Sequence, residues 1–327
     1  MKATTVNKIP ALTWSWLKMN DATVEVKDAP IHTDAKTVEN PNKADCVSVE
    51  SNGLNTKIET RCGCTKPILL HYEFEDGKRY SGEQIIQANE NTEITVIMDY
   101  TSEKGASGFS EIRTKLIAKP YSKIHLVKVQ LLGDGFTQID DTDCETDDSA
   151  LIDVTQIELG GGKIYAQVKN ELNGYQSKFN SDTAYIASKK QILDMNYVVN
   201  HHGEKTDTKM HVKGVVDGTA TKTYRGTIDF KNGCHGATGD EQEETLLLSP
   251  TAVNKSIPMI LCDEEDVSGT HGATLGRLGA DELFYMQARG ISEDEAKLMM
   301  ARAKIVSVAN LIPDSETVEK ILDFIDN

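Results

Sequence analysis

From Ile68 onward the chain consists of short β-rich runs at nearly even spacing, continuing for more than a hundred residues. I-L-L-H-Y-E-F, E-I-T-V-I-M-D-Y and K-I-H-L-V-K-V-Q-L-L come first. L-I-D-V-T-Q-I-E-L, K-I-Y-A-Q-V, L-D-M-N-Y-V-V, K-M-H-V-K-G-V-V and T-Y-R-G-T-I-D-F follow. Turn residues separate them at Gly160-Gly161-Gly162, Asn173-Gly174, Gly203, Gly218 and Asn232-Gly233. Val127, Val129 and Leu131 alternate with Lys128 and Gln130, which predicts a strand with one buried and one wet face. Tyr224, Ile228 and Phe230 likewise oppose Arg225, Thr227 and Asp229. A parallel β-helix, a sandwich or a propeller can each produce such a series. Few connectors are the Asn-Gly hairpins of an antiparallel meander, and no strict repeat of propeller-blade length appears. The physical preference is a mainly β fold, a β-solenoid of irregular coils. Its end coils would present open strand edges that need a cover.

A helical tail could supply one cover. Asp281 to Arg289 predicts a short helix with acids in its first turn, stopped by Gly290. Ser292 and Glu295 make a capping box for a second helix, whose apolar set includes Ala296, Met299, Met300 and Ala303. A third follows Pro313, with Val318, Ile321, Leu322 and Ile325 at helical spacing. The expected organisation is an N-terminal arm and irregular segment over 1–65, a β core over 66–276 and a helical domain over 277–327. Both tryptophans, Trp14 and Trp16, fall in the arm, which is expected to pack on the body.

Composition limits the function classes. A net charge of −16 argues against nucleic acid as a partner, because phosphate binding needs a basic face. No window approaches the eighteen or so apolar residues of a membrane span. The start lacks the apolar core of a signal peptide, so a cytoplasmic location with reduced cysteines is expected. Between Asp134 and Asp153 eight carboxylates occur with no Lys or Arg, and a solvated acidic loop is expected there. A calcium loop is the sharper alternative, but the required glycine and closing glutamate are missing.

The candidate ligands are thiols and imidazoles. Cys234 lies in the glycine-rich corner N-G-C-H-G-A-T-G-D, Cys262 ends I-P-M-I-L-C, and His271 follows nine residues later. Such a set suits iron, zinc or copper, and in a solenoid residues distant in sequence can stack on adjacent coils about 4.8 Å apart. Each cysteine alone is more often a small core residue. The Cys62-Gly63-Cys64 pair is a weak chelate, and adjacent His201 and His202 point to opposite faces of a strand. No nucleophile elbow, phosphate loop or H-E-x-x-H helix occurs, so no enzymatic activity is expected.

At Ser268 to Ala296 the pattern becomes specific. T-H-G-A-T-L-G followed by D-E-L-F-Y-M-Q-A-R-G-I-S-E-D-E-A resembles the C-terminal signature of the SufB/SufD family of the SUF iron–sulfur assembly system. Y-R-G-T-I-D-F, T-L-L-L-S-P and I-P-M-I-L-C stand upstream in the family's order. The resemblance implies a right-handed parallel β-helix with a C-terminal helical domain. It also implies a complex with SufC, an ABC-type ATPase docking on the tail, and pairing with a SufB-like subunit. ATP would enter only through that ATPase, and the cargo would be iron or a nascent cluster. His271 matches the histidine implicated in SufD as a ligand. SufB proteins carry a glutamate at the place of Gly272, and a sulfur-accepting cysteine where Glu243-Glu244 stand here. Both departures point to SufD. The implied docking handle is Leu283, Phe284, Tyr285, Arg289, Gly290 and Ile291, with Cys234 and Cys262 as auxiliary thiols. The alternatives are a homodimeric SufB-like scaffold that builds the cluster itself, and a carbohydrate-active enzyme on a β-solenoid.

Overall fold

The computed structural model describes residues 2–26 and 29–326. An arm comes first, in which β1 (Lys2–Val6) and β2 (Ala22–Val26) pair antiparallel around a single 3-10 turn at Ser15–Leu17. The short strands β3 (Ile31–His32) and β4 (Lys36–Glu39) follow, and then the hairpin β5 (Val47–Asn52) and β6 (Asn55–Thr60).

Beyond the hairpin the chain alternates between two sheets. One stacks β7 (Ile68–Phe74), β9 (Glu93–Ser102), β11 (Lys123–Leu131), β13 (Leu151–Glu158), β15 (Lys178–Ala187), β17 (Asp207–Val216), β19 (Ala237–Leu247) and β21 (Val267–Arg277). The other stacks β8 (Arg79–Ala88), β10 (Ser107–Ala118), β12 (Gly135–Thr146), β14 (Lys163–Leu172), β16 (Ile192–His201), β18 (Thr221–Phe230) and β20 (Val253–Cys262). From β8 to β19 each strand pairs in parallel with its neighbours on both sides in its sheet. Thr137 faces Lys163, Asp182 faces His211 and Thr221 faces Val253, so a coil takes between 26 and 32 residues. Strand makes up 55% of the chain and helix 12%, which establishes the mainly β class; the body is a β-solenoid of about eight turns.

The alternation of side chains along each strand divides them between an enclosed interior and an outer face. Ile94, Val96, Ile124, Leu126, Phe179, Met210 and Ile228 fill the interior. Three helices follow the last strand: α1 (Ala280–Ala288), α2 (Glu293–Ala309) and α3 (Ser315–Asp326). The capping box at Ser292 forms as expected, with the Glu295 N–H donated to Ser292 Oγ. Ala296, Ala301, Ile305, Val308 and Ala309 are the buried set of α2, whereas Met299 and Ala303 are exposed. Ile305, Val308, Ile312 and Ile321 pack on Ile97, Val127, Val129, Leu131 and Ile157. Burial of each such aliphatic side chain contributes about 1.5–3 kcal/mol.

Several expectations need correction. The tail does not cover an end of the solenoid. It lies along the flank, α2 on β13, β15 and β17 and α3 on β11. The strand β11 is buried on both faces, because the helices cover its outer one. Lys128 and Gln130 therefore point inward, and Lys128 Nζ donates to Asp140 Oδ1 at 2.5 Å and to Thr142 Oγ1 at 2.7 Å. The acidic stretch is accordingly no solvated loop, since most of it forms β12 with Asp140 inside. Nor are all cysteines reduced, for Cys46 and Cys62 form a disulfide across the open end of the β5–β6 hairpin. Trp14 and Trp16 do not anchor the arm, being 74% and 73% exposed. The arm is held instead by Val24, with Val6, Ala22 and Val26 beside it, packed on Phe109, Ile139 and Tyr165, and by a polar clasp. Arg225 on the outer face of β18 is sealed beneath the arm, donating from Nε to the Met19 carbonyl at 2.6 Å. Its guanidinium spans both oxygens of Asp194 at 2.5 and 3.1 Å. Asn7 Nδ2 completes the cluster at 2.6 Å from Asp194 Oδ1.

Candidate metal and partner sites at the last coil

The last coil consists of β20 and β21, each paired on one side only. Pro258 sits in β20, where an edge strand tolerates its missing N–H. Most of β21 is exposed, and β20 is half-buried for most of its length. Side chains that would be interior in any earlier coil are therefore open here.

His271 is one of them. Its register partner on β19 is Glu241, so the imidazole and the carboxylate occupy one interior-facing column on successive rungs. Glu241 is fully buried, and neither of its carboxylate oxygens has a hydrogen-bond partner of good geometry. Across the interior the carboxylate lies over the Cα of Gly226, where any Cβ would collide with it. Burial, and then the charge of Glu243, push its pKa up to about 8. The neighbouring Glu243 is paired with Lys222, which is also fully buried and lies 5.2 Å from the Tyr224 ring. Thr245 Oγ1 donates to Glu243 Oε1 at 3.0 Å and exchanges a 2.7 Å hydrogen bond with the Tyr185 hydroxyl. A buried carboxyl group, with the Tyr224 hydroxyl and the Lys222 charge in its surroundings, thus stands directly beneath an accessible imidazole, an arrangement that a bound cation would stabilise.

The predicted cysteines sit elsewhere on the same coils. Cys262 ends β20 on the rung above Phe230, exposed, its Sγ donating to the Glu264 carbonyl at 3.0 Å. Cys234 is buried in the turn after β18, and burial together with Glu264 pushes its thiol up to about 11. His271 lies several residues along β21 from that corner. Among the described residues no three His, Cys, Asp or Glu side chains are grouped to hold a metal ion. His201 is interior, packs on Phe230 at 4.8 Å and is held down to about 4 by burial, while His202 is exposed and bonded to Glu171.

Gly272 points to the outer face, and its backbone is of a kind any residue adopts. A Cβ there would meet only the flexible end of Gln242. Nothing steric excludes a carboxylate at this position. The partner handle is also on the surface, where Phe284 and Tyr285 are 72% and 60% exposed. The Arg289 guanidinium stacks 5.1 Å from the Tyr285 ring, and Gly290, with φ +85°, makes the corner. Leu283 and Ile291 are half-buried.

Residues 74–304 match the family described as SUF system FeS cluster assembly, SufBD core domain. The chain belongs to this SufBD core family. The SufD protein of Escherichia coli is 21% identical over 265 residues, covering 79% of this chain and 62% of that protein. The SufD of Bacillus subtilis is 23% identical over 168 residues, 51% and 38% of the two chains. A SufBD family protein of Mycobacterium tuberculosis strain H37Rv is 22% identical over 205 residues, 63% of this chain and 24% of that protein. The matched stretch thus spans less than two thirds of each of these relatives. The SufBD core match runs from the end of β7 into α2 and takes in His271, Glu241 and the α1 handle. The arm, the disulfide hairpin and α3 lie outside it.

Sequence reasoning missed Glu241, Lys222 and Lys128. Charged residues within β runs carry no sign of whether they face water or the interior. The one available signal was their phase against Tyr224 and Ile228 on facing strands.

Proposed function

We propose that this SufBD-family chain acts as a SufD-like subunit in iron–sulfur cluster assembly, pairing through its last coil with a SufB-like solenoid and docking a SufC-like ATPase on α1. The observation that carries this reading is the open last coil, with accessible His271 one rung from the buried carboxyl group of Glu241. A partner solenoid added to the edges of β20 and β21 would continue both sheets and seal that column. The imidazole would then offer nitrogen to iron or a nascent cluster as cargo. Gly272 supports the SufD-like branch, because a glutamate would fit there and is absent. Exposed Phe284 and Tyr285 beside Arg289 support the ATPase contact, since aromatic and arginine side chains dominate such surfaces. ATP chemistry belongs to that partner. Cys234 is too reluctant a thiolate to lead, and Cys262 is the better auxiliary thiol.

Co-expression with a SufB-like subunit and a SufC-like ATPase, followed by anaerobic reconstitution with iron and sulfide, tests the reading. His271→Ala is expected to leave the complex intact and lower cluster yield at least tenfold. Phe284→Asp is expected to lose the ATPase from the purified complex. Full cluster yield with His271→Ala would remove the ligand role. A stable cluster on the isolated chain would favour the homodimeric scaffold instead.

A further inference from the structure

The β5–β6 hairpin closes on three of the chain's six cysteines. Cys46 precedes β5, Cys62 follows β6, and Cys64 comes two residues later. Cys46 and Cys62 are half-buried and joined, their Cα atoms 4.6 Å apart. Cys64 is a free, half-buried thiol whose Sγ lies 4.0 Å from the Cys62 carbonyl oxygen. Its backbone N–H is fixed on the Glu93 carbonyl at 2.8 Å. The hairpin end does not depend on the sulfur bridge alone. The N–H groups of Arg61 and Cys62 both reach the Cys46 carbonyl, at 2.7 and 3.1 Å. Opening the bridge therefore leaves three sulfurs on a backbone that still holds them together.

We propose that this hairpin end is a redox-gated site for a soft or borderline transition-metal ion, held by the thiolates of Cys46, Cys62 and Cys64. The gate is the disulfide. A dithiol reductant breaks the Cys46–Cys62 bond and closes to its own cyclic disulfide, passing two electrons and two protons to the two sulfurs. The three thiols then release their protons as they bind the metal, whose positive charge stabilises the thiolates. Tetrahedral bonds of about 2.3 Å set the sulfurs about 3.8 Å apart. The Cys46 and Cys62 Cα atoms are already 4.6 Å apart, and Cys64, now packed against the edge of the core, would turn its side chain toward them. The fourth position stays open to water or a small thiol. In the disulfide state two of the three ligands are tied up, and no site exists. The hairpin lies outside the SufBD core match, and the site does not rest on the cluster-assembly reading.

Anaerobic titration of the full chain with Co2+, oxidised and after dithiothreitol treatment and desalting, provides the test. The reduced chain is expected to take up one equivalent with intense thiolate-to-cobalt absorption, and the oxidised chain none. This comparison needs no variant. Cys64→Ser and Cys46→Ser should each weaken the reduced site by more than about tenfold, since even ligand-supporting groups count for ten- to hundredfold. Circular dichroism confirms the fold of each. The proposal fails if the oxidised chain gives the same absorption, if the reduced chain gives none, or if reduced Cys64→Ser binds as the parent does.

Discussion

The two ends of the solenoid solve the open-edge problem in opposite ways. At the first end β4 runs antiparallel to β7, and β5 folds back antiparallel on β6, which itself pairs in parallel with β8; these reversals stop the stacking. A disulfide ties that hairpin shut. At the last end β20 and β21 keep the parallel register and simply end, with Pro258 as the sole local device against edge pairing that we identify. The open end is the edge to which the proposed partner solenoid would add. The open end also carries the stacked His271 and Glu241, so the unfinished edge and the candidate ligand coincide.

Four substitutions can break or sharpen this contrast. The largest effect is expected at Arg225, which binds the arm to the open half of the stack. Arg225→Ala leaves Asp194 buried and unpaired and should cost about 3–5 kcal/mol in urea unfolding. A loss under about 1 kcal/mol would mean that the arm contributes nothing to the last coils. At the closed end, Cys46→Ser releases a crosslink spanning 16 residues. The expected cost is about 3 kcal/mol relative to the oxidised parent, and it should vanish when the parent is reduced.

Between the ends, Glu158 is buried in the interior, and burial followed by the Asp140 charge raises its pKa to about 8 from an ordinary value near 4.5. The folded chain thus holds a proton that the unfolded chain has released across this window. Stability should fall as pH rises from about 4.5 to about 8. Glu158→Gln should flatten that slope and stabilise the protein by about 1–3 kcal/mol at pH 8, with little change at pH 4.5. Thermal melts of both proteins across this range read the difference. The smallest effect belongs to the open end itself. His271→Ala should shift stability by no more than about 0.5 kcal/mol, as exposed positions do. A larger loss would show that His271 already serves the fold of the free chain.

Much of the architecture was legible from period and punctuation. The runs at Ile68, Glu93, Lys123 and Leu151 are strands where expected, because β-branched alternation bounded by Gly and Asn has few other solutions. The Ser292 capping box is as local a signal as a sequence holds. What stayed hidden depends on stacking. The phase of Val127 and Lys128 could not say which was inside, since helices nearly two hundred residues later cover the outer face. Asp140 looked like solvated charge for the same reason, its Lys128 partner lying on the opposite sheet. Of the candidate site, His271 was readable from its motif, whereas Glu241 acquires meaning only through the register that places it one rung below. The Cys46–Cys62 bridge was hidden because only the hairpin brings those positions together.

The Arg225 clasp has a consequence for the order of events during synthesis. Asn7 is 187 residues from Asp194, and Met19 is 206 residues from Arg225. A solenoid can grow coil by coil as it leaves the ribosome, each new coil needing only its predecessor. The arm can seat in part on Phe109, Ile139 and Tyr165 as those coils form, but its polar clasp must wait for Asp194 and Arg225. At about 5–20 residues per second, some 200 residues take roughly 10–40 s. For that interval the polar clasp stays open, and its closure on Arg225 marks a stack completed to the eighteenth strand.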